Sequence, residues 1–543
     1  MKMKKTLAVL LTLGMMAGSV SFGTTAGAEE AKVLTIAIPQ NANVENYDTN
    51  YLTQMIEEGC GVDLQFLMLP TAIEDAKSKL ALMASSGEKM PDVVCMQLTS
   101  LEVAEYGSKG IFLPMNDYLG NAELTPNFNS IDEEGKNSIL TAVTSPDGNI
   151  YTLADWSPED FNMTPYRCWI NKTWLDNLGL EVPTTTEELK AVCEAFASQD
   201  PNGNGTNDEI AITGCGPTAA WGCFTPYYLM NSYIFYNGDM ANNGLSLDED
   251  GKTVIAPFTT DQYKAGLEYM NSLCEEGLLD PSMFTMDATQ FTALLDQNPN
   301  IVGCVCVGGW GYWTGGLDSE NFQDYVLLPP LEGPEGVSYA ATFEYCPNFF
   351  YNITKDCGDP ELAMKVGDFF YQKNVSYTTR YGEENVDWST DEAITSEKVG
   401  LYEDMLGIPC KIAILDNQWS KVQNKHWYAQ CPHYLSADDY RGLDSMQNGD
   451  DNRNAVLRST SYDMYYDAHP ELMPTLVYTA EEAEEISGIA TDVKTYVSSS
   501  LAEFITGNRP LSDWDNYVEE LNNMGLQQLL ETAQTAYDRM TAE

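Results

Sequence analysis

The sequence contains little histidine and few basic residues. Of its 543 residues only 3 are His, and 28 Lys and Arg stand against 81 Asp and Glu, which gives a net charge of −53 at pH 7. A surface this acidic repels nucleic acid and anionic membranes, so we expect neither as a partner. The hydrophobic content of 43% is nevertheless enough to build folded cores, which argues against a disordered chain.

Signatures of catalysis are also missing. The chain has no G-x-S-x-G, H-E-x-x-H, Walker or G-x-G-x-x-G pattern. A secreted glycoside hydrolase needs only two carboxylates across a cleft, and 81 acidic residues leave room for such a pair, although the sequence singles out none. We therefore predict a protein that is not an enzyme and keep the hydrolase as an alternative.

Long apolar runs are absent beyond the first residues. A lysine-rich start, a short apolar run over 7–16 and the motif Ala26-Gly27-Ala28 predict a signal peptide over 1–28. That run is too short to span a bilayer, which takes about 20 residues. The first cysteine is Cys60, so the sequence offers no cysteine for a lipid anchor at the predicted cleavage point. We expect a secreted protein that works at the cell surface or in a periplasm.

Cysteine is plentiful but forms no metal-binding pattern. The chain has 13 cysteines, an odd number, and no C-x-x-C motif. Cys304 and Cys306 would share one face of a strand, and a zinc site would have to draw on His426, His433 and His469. We interpret the cysteines as buried free thiols, of which at least one has no intramolecular partner.

The first part of the chain has the pattern of an α/β protein. Segments 33–39, 62–70 and 92–98 are rich in β-branched residues and predict strands, whereas 48–58 and 71–86 have helical spacing. This βαβαβ order predicts a parallel sheet with helices on its faces. A further buried strand is predicted within 301–310, and the C-terminal part of the chain is predicted to be helical.

The segment 198–212, SQDPNGNGTNDEIAI, carries oxygen-bearing side chains at the spacing of a calcium-binding loop. Such a loop takes its ligands from positions one, three, five, seven, nine and twelve of about twelve residues. The candidate ligands are Asp200, Asn202, Asn204, the Thr206 carbonyl and Asp208, with Glu209 at position ten replacing the usual glutamate at position twelve. Position twelve itself is Ala211. A solvated loop built from Asx turns would have the same composition, so spacing alone leaves both interpretations open.

Aromatic residues cluster where a sugar could bind. Oligosaccharides lay partly apolar ring faces on aromatic side chains. The segment GGWGYWTGG (308–316) follows a predicted strand, and the ends of strands in open α/β sheets are usual ligand sites. The candidates are Trp310, Tyr312 and Trp313 in this segment, and Trp156, Trp419, Trp427 and Tyr428 elsewhere. Burial in a core is the alternative for each tryptophan.

Several segments in combination resemble a known family. They are KVLTIAIP, MPDVVCM, WINKTWLDNLGLEVPTTTEELKAVCEAF, DPNGNGTNDEIAIT and FYQKNVSYTTRYGEENVDW. These segments resemble the extracellular solute-binding proteins of ABC carbohydrate importers, above all the large members that include the alginate-oligosaccharide-binding proteins. The resemblance implies an α/β fold of two lobes, of the type II periplasmic-binding-protein kind, with a hinge and a ligand cleft between the lobes. It implies an N-terminal lobe of 29–155 plus 327–398 and a C-terminal lobe of 156–326 plus 399–543.

The resemblance also implies a function. We expect the extracellular substrate-binding component of an ABC transporter, a monomer that captures an oligosaccharide and delivers it to membrane permease subunits. The family further implies a structural Ca²⁺ ion in the 200–209 loop and stacking of Trp310 on the sugar. A peptide-binding importer component has the same architecture and remains an alternative.

The basic residues bear on the charge of the ligand. A clamp for sugar carboxylates would need Arg or Lys, and the candidates are Arg167, Lys172, Arg380 and Lys421, with Arg167 a predicted ligand-binding residue. None of them has a second base beside it in the sequence, and the acidic field of the protein opposes an anion. We therefore expect a neutral oligosaccharide.

Overall fold

The computed structural model describes residues 31–238, 242–419, 421–449 and 452–542. The predicted signal peptide, 1–28, lies outside these residues. The strands in chain order are β1 (Lys32–Pro39), β2 (Val62–Leu69), β3 (Val93–Leu98), β4 (Leu153–Trp156), β5 (Cys168–Asn171), β6 (Ile210–Thr213), β7 (Ser246–Leu247), β8 (Val254–Ile255), β9 (Val302–Cys306), β10 (Tyr325–Leu328), β11 (Phe349–Ile353), β12 (Trp388–Ser389), β13 (Ala413–Ile414) and β14 (His433–Tyr434).

Helices account for most of the remaining regular structure. They are α1 (Tyr51–Cys60), α2 (Ile73–Ser86), α3 (Ser100–Ser108), α4 (Asn116–Leu119), α5 (Pro126–Ser130), α6 (Glu133–Val143), α7 (Asp160–Met163), α8 (Lys172–Leu178), α9 (Thr186–Ser198), α10 (Thr225–Met230), α11 (Asp261–Glu275), α12 (Ala288–Leu295), α13 (Pro360–Phe369), α14 (Lys373–Tyr381), α15 (Glu392–Thr395), α16 (Glu403–Leu406), α17 (Ala437–Arg441), α18 (Arg453–Tyr465), α19 (Ala480–Ile505), α20 (Trp514–Asn523) and α21 (Leu526–Thr541). Within the described ranges, no helix has the length and apolarity needed to cross a membrane.

The first lobe is built on a six-stranded sheet with the order β14-β4-β11-β3-β1-β2. β1 pairs in parallel with both β2 and β3, and α1 and α2 connect these strands. The predicted βαβαβ unit is therefore confirmed. β11 runs antiparallel to β3 and β4, and it arrives from a distant part of the sequence.

The second lobe is built on a four-stranded sheet with the order β10-β5-β9-β6. β9 is the strand predicted within 301–310, and all five of its residues are buried. It pairs in parallel with β6 and antiparallel with β5. The carboxyl ends of β6 and β9 consequently lie at the same edge of the sheet, together with the residues that precede β5.

Each sheet has its own hydrophobic core. The first core contains buried residues from 34–154 and 349–375, and also Trp427 and Cys431. The second core contains buried residues from 166–341 and 465–537. A small third cluster, drawn from 377–455, includes Tyr377, Trp388 and Tyr440. We call it the third cluster; α14 connects it to the first lobe, because Val375 of this helix packs in the first core.

The cores suggest where the chain passes between the lobes. β10 pairs with β5, and Leu328 and Ala341 pack in the second core, so 327–341 lies with the second lobe. Trp427 packs in the first core, so its segment lies with the first lobe. We therefore propose crossings within 156–165, 342–348 and α18 in place of the predicted boundaries at 327 and 399.

The buried histidines predict how the stability of the first lobe depends on pH. Burial, reinforced by the nearby Arg380 cation, lowers the pKa of His426 to about 3, and burial also lowers the pKa of His433. Because the folded pKa lies below the unfolded value, protonation favours the unfolded chain. Stability should therefore be full above about pH 6.5 and fall as the pH drops toward 3.

We expect proton binding to His426 in the unfolded chain to lower the free energy of unfolding by about 2 kcal/mol between pH 7 and pH 5. Urea unfolding of the wild type and of His426→Gln at the two pH values measures this difference, which should shrink in the variant. His469→Gln, which changes a partly exposed histidine, is the matched control. An equal pH dependence in the wild type and His426→Gln would contradict the prediction.

Candidate ligand-binding cleft

A cavity of about 360 Å³ lies between the second lobe and the third cluster. Trp310 lines it from the second lobe, whereas Arg380, Trp419 and Tyr440 line it from the opposite side. Glu159, in the first crossing segment, also lines the cavity. We call this cavity the aromatic cleft. A cavity of this size, with aromatic walls and a few polar groups, is typical of a site for a small ligand.

The wall on the second lobe is formed at the carboxyl ends of β6 and β9. Trp310 follows β9, and Phe161 lies between Trp310 and Trp221, with ring centroids at 5.7 Å and 6.0 Å. The Gly308 N–H donates to the carbonyl of Trp221 at 2.9 Å. A Cβ at position 308 would lie 2.3 Å from the Trp221 ring, so only glycine allows the two loops to approach this closely. Trp221 itself is 39% exposed.

The opposite wall carries a caged arginine. The Arg380 guanidinium lies 5.2 Å from the ring of Trp419 and 5.3 Å from the ring of Tyr440, as in a cation–π contact. The Nε of Arg380 and the hydroxyls of Tyr381 and Tyr440 are shielded from solvent and have no hydrogen-bond partner among the described residues. Buried polar groups are nearly always hydrogen-bonded in proteins, so these three groups are suited to a polar ligand in the cavity.

The acidic groups of the cleft have partners. Glu159 is 9% exposed and forms an ion pair and hydrogen bond with Arg458, which also lines the cavity. Asp416 accepts hydrogen bonds from Lys421 at 3.0 Å and from Gln418 at 2.9 Å. The hydrogen bond from Lys421 lowers the pKa of Asp416. Both carboxylates therefore already accept hydrogen bonds from basic side chains.

Arg167, a predicted ligand-binding residue, lies behind the wall instead of in the cleft. It is completely buried, its guanidinium donates to the carbonyls of Phe161 and Gly308, and its Nε donates to the Ser461 hydroxyl at 2.6 Å. The ring of Phe161 lies between two guanidinium groups, 3.4 Å from that of Arg167 and 4.5 Å from that of Arg458. We therefore remove Arg167 from the candidate ligand contacts, because its donors are already used.

The other predicted aromatic residues divide into three groups. Trp313 and Trp427 are 1% and 0% exposed and belong to the second and first cores, so we also remove them from the candidate contacts. Tyr428 packs edge-on against Trp419, with 4.6 Å between the ring centroids. The Tyr312 hydroxyl accepts a hydrogen bond from the backbone N–H of Trp221 at 2.7 Å. Tyr428 thus supports Trp419 of the cleft, and Tyr312 supports the loop that carries Trp221.

Trp156 lies in a different place. It packs edge-on against Tyr345 at 5.0 Å and lines two further cavities, of about 330 and 450 Å³, beside the first crossing segment. Sequence reasoning missed Tyr440 and Arg458, which line the aromatic cleft, and Trp221, which packs against Phe161. Trp221 has a glycine beside it, the same signal that marked Trp310.

The 200–209 loop is folded around Asp200. Its carboxylate accepts from the N–H groups of Asn204 and Gly205 at 3.0 Å each, and the Asn204 Nδ2 donates to Asp208 at 3.0 Å. Both carboxylate oxygens of Glu209 are shielded from solvent without a donor. Burial and the charges of Asp200 and Asp208 raise the pKa of Glu209. A cation would neutralise these carboxylates, so the residues present fit a calcium ion.

The loop does not show a finished coordination sphere. In the described ranges, no three His, Cys, Asp or Glu side chains converge in a metal-binding arrangement. The Asn204 amide nitrogen, rather than its oxygen, faces Asp208. The side chain of Asn204 would have to turn for its oxygen to join Asp208 as a ligand.

Comparisons with known proteins point to one family. The chain is 27% identical to FusA, a fructooligosaccharide ABC transporter substrate-binding protein of Streptococcus pneumoniae, over 94% of this chain and 90% of the relative. It is 25% identical to YtcQ, a polygalacturonan/rhamnogalacturonan-binding protein of Bacillus subtilis, over 62% of this chain and 66% of that protein.

Solved structures establish the fold. FusA in complex with kestose superposes with a TM-score of 0.74 at 24% identity, covering 94% of this chain and all of FusA. An EF-hand mutant of FusA in complex with fructo-nystose superposes with the same TM-score. A solute-binding protein of Bifidobacterium longum infantis, described as binding HMO, superposes with a TM-score of 0.77 at 20% identity, covering 95% of this chain and all of that protein.

The two-lobed fold predicted from the sequence is thus confirmed. The sequence pattern of the bacterial extracellular solute-binding proteins matches residues 70–373. That stretch includes β3, β4 and β11 of the first sheet and the whole of the second sheet. The chain belongs to the bacterial extracellular solute-binding protein family.

Proposed function

We propose that this chain is the substrate-binding subunit of an ABC carbohydrate importer and that it holds an oligosaccharide in the aromatic cleft. The observation that carries the proposal is that Trp310 and Trp419 line opposite sides of one cavity, with the caged Arg380 and solvent-shielded polar groups beside Trp419. Aromatic faces suit the apolar faces of sugar rings, and the guanidinium and hydroxyl groups suit sugar hydroxyls.

The position of the cleft explains how capture can be signalled. Its walls belong to different parts of the two-lobed molecule, so a bound sugar contacts both and favours the arrangement in which they are close. Permease subunits that recognise this arrangement would receive the loaded form. FusA, by its name a fructooligosaccharide-binding protein of an ABC transporter, supports this role.

The cleft chemistry favours a binder over an enzyme. A glycoside hydrolase needs a carboxylic acid that stays protonated until it acts, which requires a raised pKa. In the cleft, Glu159 pairs with Arg458, and the pKa of Asp416 is lowered. The named relatives are a substrate-binding protein of an ABC transporter and a polysaccharide-binding protein. We therefore propose that the protein is not catalytic.

We propose a neutral oligosaccharide as ligand. The charged groups named along the cleft are two acids, Glu159 and Asp416, and two bases, Arg380 and Arg458, so their formal charges cancel. An acidic oligosaccharide is the second candidate, because Arg380 has no carboxylate partner among the described residues and a relative is named for polygalacturonan binding. A peptide ligand is a third possibility for a cleft of this architecture.

A thermal-shift screen separates these ligand classes, since a bound ligand raises the melting temperature by mass action. The screen uses kestose, larger neutral oligosaccharides, oligogalacturonates and short peptides. We expect a shift with a neutral sugar and constant affinity between low and moderate salt, because no charge–charge interaction is screened. A shift with oligogalacturonate that weakens steeply with salt would select the acidic candidate, and a shift with peptides alone would refute carbohydrate binding.

Trp310→Ala and Trp419→Ala should each weaken binding of the sugar found in this screen by about 2 kcal/mol, the scale of a buried aromatic anchor. Both side chains are only partly buried, so the fold should survive their truncation. Isothermal titration calorimetry measures the affinity, and thermal unfolding without sugar verifies the fold. Unchanged affinity in both variants would place the ligand elsewhere.

Arg380→Met should abolish the donors of the caged guanidinium while keeping most of the side-chain volume. We expect a loss of 2 kcal/mol or more, about the value of hydrogen bonds to a charged group. Lys373→Met, on the same helix α14, is the matched control, because Lys373 is 73% exposed and lies outside the cleft. Equal effects of the two substitutions would show that Arg380 does not contact the ligand.

We also propose a structural Ca²⁺ ion in the 200–209 loop, held by oxygens of Asp200, Asn202, Asn204, Thr206, Asp208 and Glu209. The solvent-shielded carboxylate of Glu209 supports the proposal, because an Asx turn does not require it. The ion would neutralise three neighbouring acids. The loop joins α9 to β6, so their alignment would depend on it.

Chelation with EDTA should lower the melting temperature of the wild type, and Asp208→Ala should lower it as well while removing the effect of EDTA. Glu209→Gln tests the position-ten ligand and should weaken Ca²⁺ binding. The control is Asp250→Ala, which alters an acidic turn of the same lobe where Asp250 accepts from Lys252 and Thr253. A melting curve unaffected by EDTA, with no metal in elemental analysis, would exclude the ion.

A further inference from the structure

Two cysteines meet at the base of the loop that carries Trp221. The loop leaves β6 at Thr213 and enters α10 at Thr225. The Cys215 N–H donates to the carbonyl of Cys223 at 3.1 Å, and the Cys223 thiol lies 3.6 Å from the carbonyl of Cys215. The Cys223 thiol also donates to the carbonyls of Gly216 at 3.2 Å and Ala220 at 2.9 Å. The segment 215–223 is therefore nearly a closed ring.

Glycines hold this ring closed. A Cβ at Gly214 would lie 2.4 Å from the carbonyl oxygen of Cys223, and a Cβ at Gly222 would lie 2.1 Å from the carbonyl oxygen of Pro165. Gly222 also has a φ of +67°, in the left-handed region that favours glycine. A glycine thus precedes each cysteine: Gly214 allows the backbones of the two cysteines to approach, and Gly222 allows the loop to pack against Pro165.

The two thiols differ in pKa. The contact with Cys215 lowers the pKa of the Cys223 thiol, whereas the same contact raises the pKa of Cys215. By contrast, burial raises the pKa of Cys304 and Cys306. The thiolate is the reactive form in disulfide exchange, so Cys223 has the character of the attacking residue.

We propose that Cys215 and Cys223 form a redox-active pair that low-molecular-weight disulfides, such as oxidised glutathione, convert to a disulfide. Both side chains are fully buried in the folded protein. The exchange therefore takes place in the folding chain, or when the loop opens. The proposal does not depend on the identity of the ligand or on the proposed transport function.

The reaction balances in two exchanges. The Cys223 thiolate attacks one sulfur of glutathione disulfide, forms a mixed disulfide and releases one glutathione thiolate. Cys215 then gives its proton to solvent, and its thiolate attacks the Cys223 sulfur, which breaks the mixed bond and releases the second glutathione. The protein loses two thiol hydrogens, and the two glutathione molecules gain them.

The bond would fix the position of Trp221. The Trp221 N–H donates to Tyr312 and its carbonyl accepts from Gly308, so the loop already contacts the segment that carries Trp310. A disulfide between 215 and 223 would remove open conformations of this loop from the unfolded and partly folded chain. The wall of the aromatic cleft would then be more resistant to unfolding in the oxidised protein.

The test refolds the full chain in a buffer of reduced and oxidised glutathione, traps free thiols with iodoacetamide and maps the peptides by mass spectrometry. We expect a Cys215–Cys223 cross-link and a melting temperature about 5 °C above that of the chain refolded in dithiothreitol. Cys215→Ser and Cys223→Ser should lose both effects. Cys274→Ser, which removes a partly exposed thiol of the same lobe, should keep them.

Peptide mapping of the wild type decides the question even if a serine variant fails to fold. Alkylation of both Cys215 and Cys223 after oxidative refolding would overturn the proposal. A cross-link between Cys168 and Cys306, which are register partners across β5 and β9, would overturn it if Cys215 and Cys223 stayed free.

Discussion

The buried guanidinium of Arg167 joins the parts of the molecule that form the aromatic cleft. It donates to the carbonyl of Phe161 in the first crossing, to the carbonyl of Gly308 before Trp310, and to the hydroxyl of Ser461 in α18. A buried cation is expensive unless its donors are satisfied. Any movement of one of these three segments away from the others would leave a charged donor without a partner, so the segments are held in register. The ring of Phe161 contacts the guanidinium groups of both Arg167 and Arg458, and so links this arrangement to the cleft surface.

Much of the fold was predictable because its signals are local. β1, β2 and β3 have short β-branched runs with helical spacing between them, and their parallel pairing follows from that order. The glycine-flanked segment at 308–316 marked Trp310 for the same reason. Trp313 shares the motif, but the short helical turn at Trp310–Tyr312 directs it into the second core. One turn of backbone separates a cleft residue from a core residue, and composition does not record that difference.

The residues of the opposite wall of the cleft could not be predicted from local sequence patterns. Arg380 stood out in the sequence as one of few bases, yet its cage depends on Trp419 and Tyr440, which reach it only through the packing of the third cluster. Trp221 likewise approaches the segment that carries Trp310 only because Gly308 admits its ring. The lobe boundaries could not be predicted for the same reason, because Trp427 packs in the first core although it is distant in sequence from the other residues of that core. Contacts of this kind are properties of the tertiary structure.

Helix α18 begins in the third cluster, where Ala455 is buried, and ends in the second core at Tyr465. Between these ends it carries Arg458, whose side chain lines the cleft, and Val456, whose side chain is 57% exposed. A fluorophore attached at position 456 would lie in solvent while sharing a rigid helical turn with a residue of the cleft wall. Position 456 is therefore a suitable attachment point for an optical sensor. Ligand binding in the aromatic cleft would change the surroundings of the fluorophore and so its emission.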